Sequence, residues 1–160
     1  MIADPDGRLP VLELAPGSES EVPVIGTDFY PTMLEMAGLP LRPDQHQDGV
    51  SLVPLLKGGS IPKRSLFWHY PHYHRTKPYN AVRNGDMKLI EFFEDGALEL
   101  YDLARDPKEA NNLAAAQPEK AAALLKELQA WRKSVDAQMM TPNPNYDPNR
   151  AAGKKRKKKK

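Results

Sequence analysis

The 160 residues predict an α+β fold: a small antiparallel sheet of about four strands in a hairpin meander, packed by a C-terminal helix, with an N-terminal helix and long irregular connectors. Three observations carry this. Turn dipeptides Asn84-Gly85 and Asp95-Gly96 separate β-prone runs over 79–83, 86–93 and 97–103, and such pairs mark hairpins because both residues tolerate positive φ. Ala121, Leu124, Leu128, Trp131 and Val135 recur three and four apart, the spacing of one helix face. Sixteen prolines, about twice the usual share, break up most of the remaining chain.

Taken in order, residues 1 to 26 carry Pro5, Pro10, Pro16 and Pro23, which exclude a helix of any length; Val11–Leu14 and Val22–Ile25 read as strand ends or extended chain. The first helix is expected over about 28–37. Asp28 suits the N-cap, Pro31 sits in the first turn, and Gly38 fits the left-handed position after the end. Phe29, Met33, Met36 and Ala37 form one apolar stripe and predict a core-facing helix. Residues 39 to 64 are a Pro/Gly-rich connector with room for one helical turn at 49–58, before Gly58-Gly59.

Ser65–Tyr70 is rich in aromatic residues and reads as a strand beside the meander. Asp106-Pro107-Lys108-Glu109 has the parts of a capping box: Asp106 as cap, Pro107 at N1 and Glu109 reaching back. The helical piece it opens is brief, since Asn111-Asn112 follows. The long helix is expected from about Pro118 to Gln138, with its apolar stripe covering one sheet face. Pro142, Pro144 and Pro148 then end regular structure.

Charge divides the chain. The formal net charge is +2, from 23 basic and 21 acidic residues, but 154–160 read Lys-Lys-Arg-Lys-Lys-Lys-Lys. Without those seven, 16 basic residues face 21 acidic ones, so the body is −5. This argues against a folded basic face for nucleic acid. The tail suits non-specific, strongly salt-dependent attraction to nucleic acid or anionic membranes, or serves as a solubilising end; it has no aromatics to stack on bases and no apolar face to insert. The absence of Cys excludes disulfides, thiolate metal sites and cysteine nucleophiles. No apolar run approaches the roughly 20 residues that span a bilayer, and Met1–Gly7 has no signal-peptide pattern, so either the mature chain stays in the cytoplasm or its targeting segment lies elsewhere.

The candidate chemistry centres on His69, His72 and His74, interleaved with Trp68, Tyr70 and Tyr73. Three readings stand: a transition-metal site, a ligand-pocket rim, and a structural aromatic segment. Pro71 breaks any regular period among the imidazoles, and no nearby carboxylate completes a metal set. Arg83 and Lys88 flank the first turn and suit either an anion or plain solvent. Asp102, Asp106 and Glu109 resemble paired carboxylates, but the capping box explains two of them. Local chemistry names no catalytic residue and no metal ligand.

The order of certain segments resembles the C-terminal part of the formylglycine-dependent sulfatases, in the alkaline-phosphatase-like superfamily. They are Val22–Thr32, Asp48–Leu56, Phe67–Tyr73, Ala81–Ile90 and Glu99–Ala114, with Trp131-Arg132 and Pro142–Pro144 in support. The resemblance runs over about 20–150; residues 8–17 fit only faintly, and Met87 stands where the family usually has Trp. It implies that 1–64 hold the end of the sulfatase core and a connector, 65–140 a sheet-and-helix subdomain, and 141–160 an irregular end.

It further implies that the catalytic parts lie in a large N-terminal domain outside this stretch. Those parts are the Cys/Ser-x-Pro/Ala-x-Arg signature that yields formylglycine, the calcium ligands, and the catalytic Lys and His. The chain then reads as a truncated or split product, inactive alone, that shapes the pocket of the whole enzyme. Its partners would be that missing domain and a sulfated carbohydrate or aryl sulfate, with the full-length enzyme periplasmic or secreted. His69, His72, His74 and Arg83 are the residues expected to touch substrate. An exposed apolar side is expected where the missing domain would sit. The alternative is a stand-alone module that uses its tail for nucleic acid or anionic membrane.

Overall fold

The computed structural model describes residues 17–73, 76–141 and 143–145. The stretch at 11–14, His74 and the basic tail lie outside the described residues. Among the described residues three α-helices and four strands follow in the order α1 (Phe29–Met36), α2 (Val53–Leu56), β1 (Ser65–Tyr70), β2 (Tyr79–Asn84), β3 (Met87–Phe92), β4 (Leu98–Asp102) and α3 (Pro118–Ser134). The strands pair antiparallel in sequence order, β1-β2-β3-β4. The meander, the joining of 65–70 to it and the helical turn in the connector all match the sequence reading.

The register puts Phe67, Val82, Leu89 and Leu100 in one row across the sheet. Strand side chains alternate between faces, so this row shares its face with Met87 and Leu98. α3 lays Ala121, Leu124 and Leu128 onto it, and Val82, Leu89, Leu100 and Leu128 are wholly buried there. Trp131 stacks flat on Phe67, with ring centroids 4.8 Å apart. Glu127, in the middle of the helix, accepts the Ser65 hydroxyl at 2.5 Å, and Arg132, in its last turn, donates to Glu91 at 3.0 Å.

The turn chemistry differs from its expected form. Asn84 pairs with Met87, so the two-residue loop is Gly85-Asp86, one place later than the dipeptide suggests. Gly85 has φ +58 while Asp86 is not in the left-handed region, the pattern of a type II′ turn rather than type I′. Gly96, at φ +66, closes a longer loop by donating its N–H to Phe92 O at 3.0 Å.

Three further local expectations shift. Asp106 does not open a helix. Its carboxylate accepts the N–H of Asn111 at 2.8 Å, while Glu109 adopts φ +54 and pairs with Lys88 instead of reaching back. These backbone donors, Asn111 first and then Ala110, hold the Asp106 carboxyl below its usual range. Asn112 completes the loop by bonding N–H of Leu100 and O of Leu98, lending β4 the ladder partners its outer edge lacks. α3 ends at Ser134 rather than near 138. Asp136 turns left-handed at φ +48, and N–H groups of Asp136 and Ala137 bond back to Lys133 and Arg132, the pairings of a Schellman close.

The N-terminal helix is where packing overrules pattern. A single 3-10 turn at Gly26–Asp28 precedes it, so Asp28 stands three residues inside the start, and its Oδ2 accepts the N–H of Ile25 at 2.9 Å. Gly38, at φ +69, ends the helix as expected, with Leu39 N–H on Leu34 O. The apolar stripe, however, does not face a core: Phe29 is 61% and Met33 59% exposed, and Met36 and Ala37 are exposed too. Pro31 and Thr32, on the other side, are the buried residues.

Asp28 fastens this segment to the sheet. It is wholly buried. Its carboxylate accepts Val50 N–H at 3.1 Å and Arg64 Nη2 at 2.5 Å, and Arg64 also donates to Asp48 O. Thr32 Oγ1 donates to Asp28 O and accepts from Leu52 N–H, so one turn of α1 fixes the connector twice. Trp131 Nε1 reaches Asp48 from α3 at 3.1 Å. Burial pushes the Asp28 carboxyl up, but the Arg64 hydrogen bond, the N–H groups of Ile25 and Val50, and the Arg64 charge bring it below the ordinary 3.8.

A depressed folded pKa contributes stability above the unfolded value that is lost as pH falls through the folded one. Urea melts should therefore weaken as pH drops below about 3.8. That slope should be shallower in Asp28→Asn, and Asp28→Ala should cost about 3–5 kcal/mol at neutral pH by stranding Arg64. Leu128→Ala should cost about 2–5 kcal/mol. Met33→Ala should stay within about 0.5 kcal/mol in the chain alone, since its side chain is already in water.

Candidate substrate-facing loop and sheet face

The sheet separates the residues that the sequence grouped. His69 pairs with Asn80, whereas Arg83 pairs with Leu66, three positions further along β2. By alternation His69 lies on the α3 face and Arg83 on the opposite one. His69 is engaged on both sides: Nδ1 lies 2.5 Å from Asn80 Oδ1, and Nε2 lies 2.7 Å from the carbonyl of Gln138. It thereby ties the end of β1 to the chain leaving α3. Phe93 meets its ring edge-on at 5.8 Å, and the Arg132 guanidinium lies over the same phenyl ring.

His72 stands apart from it, exposed, with its ring perpendicular to Tyr70 at 5.7 Å. Next to it, Tyr73 is well exposed and donates its hydroxyl to Glu94 at 2.5 Å. Lys77 pairs with Asp95 at 2.9 Å and Glu94 at 3.4 Å. The Asp95 hydrogen bond raises the Lys77 amine above its usual range, and Lys77 in turn lowers the Asp95 carboxyl. The β1–β2 and β3–β4 loops thus meet at one end of the sheet. Between them opens a shallow cavity of about 590 Å³, lined by Tyr73, Thr76, Lys77, Phe92, Asp95 and Glu99. Among the described residues no group of three His, Cys, Asp or Glu side chains is placed to hold a metal ion.

The face opposite α3 carries a run of rings that sequence reasoning missed as a unit. Tyr70, Tyr79 and Phe92 share one row, with centroids 5.8 and 6.4 Å apart. Trp68, 36% exposed, stands in the next row. Period-two alternation in 65–70 and 79–84 was the available signal. On the same face Tyr101 is 7% exposed and donates its hydroxyl to Glu99 at 2.9 Å. Burial, then the Glu99 hydrogen bond, pushes its phenol up to about 12.

One expectation needs correcting. The formylglycine-type spacing, placed wholly outside this stretch, is spelled once within it by Ser60-Ile61-Pro62-Lys63-Arg64. The fold gives these residues another use. Ser60, Pro62 and Lys63 are exposed on the connector before β1, and Arg64 is the partner of Asp28.

A four-stranded meander backed by one helix aligns with solved sulfatase folds. The fold aligns with a 2-O GAG sulfatase at 27% identity and TM-score 0.60, covering 76% of this chain and 27% of that one. It also aligns with a chain solved in complex with its substrate D-glucosamine-2-N,6-O-disulfate, at 34% identity and TM-score 0.55, covering 66% and 23%. Among curated proteins, an N-acetylglucosamine-6-O-sulfatase of Bacteroides thetaiotaomicron is 36% identical over 105 residues, covering 61% of this chain and 18% of that protein. Human arylsulfatase A is 34% identical over 151 residues, covering 78% and 29%. The model of the N-sulphoglucosamine sulphohydrolase C-terminal family matches residues 8–137, and the chain belongs to that family. It spans less than a third of the length of these relatives.

The Tyr101 phenol gives a direct check on the buried side of this face. An ultraviolet titration should show a late phenol step near pH 12, and Tyr101→Phe should remove it. A phenol raised in the folded state binds its proton more tightly than in the unfolded one. Its contribution to stability is therefore complete below about pH 10 and lost by about pH 12.

Proposed function

We propose that this chain is the C-terminal subdomain of a sulfuric ester hydrolase, forming one wall of its substrate pocket and inactive by itself. The observation that carries this reading is the exposed apolar stripe of α1, Phe29, Met33 and Met36, continued by Leu39 and Leu41, in a chain that covers under a third of its relatives. A surface of that kind is a docking face, and the partner that fits is the catalytic domain that would precede it. Residues 1–64 then belong with that domain, and 65–140 form the subdomain proper.

In the whole enzyme, formylglycine and calcium would sit in the catalytic domain, and the reaction would follow there. The part proposed for the residues of this chain is to bind and orient. His72 and Tyr73 offer ring edges and a hydroxyl at the loop end of the sheet, where a sulfated amino sugar of the kind named for the relatives would be held. His74 and Arg83 remain candidate contacts. His69 serves this wall by fixing the strand that leads into the loop. A periplasmic or secreted location follows for the whole enzyme. The similarity to sulfatases does not favour the stand-alone reading, with the basic tail as its binding element.

Joining this chain to the catalytic portion of the Bacteroides relative tests the proposal. The chain alone should show no arylsulfate turnover after rigorous purification, while the fusion should hydrolyse N-acetylglucosamine 6-sulfate. In the fusion His72→Ala should lower kcat/KM roughly tenfold or more, about 1.4 kcal/mol of transition-state stabilisation. Turnover by the chain alone, or an unchanged kcat/KM in His72→Ala, would sink the reading.

A further inference from the structure

We propose that the sheet face opposite α3 is a second binding site for a sulfated sugar, with Trp68 as the stacking platform and Arg83 as the sulfate-binding cation. This deepens the proposed function and rests on its substrate class. A cavity of about 280 Å³ opens on that face, lined by Trp68, Tyr79, Ala81, Arg83, Lys88 and Glu109. It lies just below the range that holds a drug-sized ligand, so it suits a single ring.

The chemistry of the lining selects the ring. Lys88 is bound to Glu109 at 2.6 Å, so their charges cancel. Arg83 is left as the uncompensated charge: its Nε donates to Gly85 O at 2.9 Å, and its two terminal nitrogens make no hydrogen bond to the described residues. The Nε bond holds the guanidinium plane while leaving the fork that pairs bidentately with tetrahedral oxyanions. Trp68 presents an indole, partly open to solvent, beside it. A flat apolar face with an adjacent fixed cation matches a sugar ring bearing one sulfate, and matches a neutral sugar poorly.

The site is continuous with the loop end. Tyr79 lines the cavity and also stands in the ring row with Tyr70, against which His72 rests. From the Tyr70–Tyr79 row to the Leu66–Arg83 row is four strand positions, or roughly 13 Å. A sulfated oligosaccharide held at His72 would therefore extend one end along the aromatic row toward Arg83.

The full chain, tail included, is titrated with N-acetylglucosamine 6-sulfate and with unsulfated N-acetylglucosamine, and followed by amide and indole NMR. The chain has two tryptophans, so the two indole N–H signals report separately. The sulfated sugar should shift Trp68 and leave Trp131 in place, and the unsulfated one should bind at least tenfold more weakly. Arg83→Gln and Trp68→Leu should each weaken the sulfated sugar about tenfold. Equal affinity in the Arg83 and Trp68 variants, or shifts confined to 154–160, would overturn the site and assign binding to the basic tail. Should Arg83→Gln fail to fold, the wild-type response of Trp68 against Trp131 decides by itself. Loss of this site with a sustained His72 effect in the fusion would leave the pocket-wall reading standing; the reverse outcome would separate them the other way.

Discussion

The Asp28 carboxylate is the constraint on which the N-terminal third depends. The chain from Val22 to Arg64 is poor in regular structure, and its helices are short. Such a segment has too little apolar burial to order itself. A wholly buried carboxylate compensates by satisfying three distant pieces at once: the backbone at Ile25, the backbone at Val50 and the guanidinium of Arg64. Each donor is needed, because an ion out of water is tolerated only when its lone pairs are filled. Arg64 immediately precedes β1, so the same pair sets where the sheet begins relative to α1. Trp131, reaching Asp48, adds a tie from the C-terminal helix to the same connector.

The C-terminal part is held together in a different way. Its stability lies in one hydrophobic layer between α3 and a single sheet face, flanked by charged or polar pairs on Glu127 and Arg132. That arrangement commits one sheet face to the helix and releases the other for rings, Arg83 and Lys88. The two parts therefore differ in what they leave unburied. The N-terminal part leaves an apolar helix stripe for a partner domain, and the sheet leaves a face of aromatic and cationic side chains suited to a sulfated ligand.

Much of the fold was legible from local chemistry. Prolines, turn glycines and the three-four spacing of α3 act over a few residues, so the strands, their order and the covering helix follow from neighbouring letters. Where reading failed, a longer-range effect was responsible. Asn84-Gly85 marked the right hairpin, but the pairing of Asn84 with Met87 moved the turn by one residue. Asp106 capped a turn because Lys88, 21 positions away, drew Glu109 out of the box. Met33 lay on a proper apolar stripe, yet periodicity states only that a face is apolar, not whether this chain supplies its cover.

The candidate site divides along the same line. The sequence alone determined the family resemblance, the aromatic and histidine-rich segment at 67–73 and the acidic character of the body, because these reside in the order and identity of residues. Only the tertiary structure decided that His69 is tied to Asn80 and Gln138, that His72 stands clear on Tyr70, and that Arg83 joins Trp68 on the other face. The physical reason is the pleat. Alternation assigns neighbouring side chains to opposite faces, and the register between strands, fixed by the buried row from Phe67 to Leu100, decides which distant residues share one.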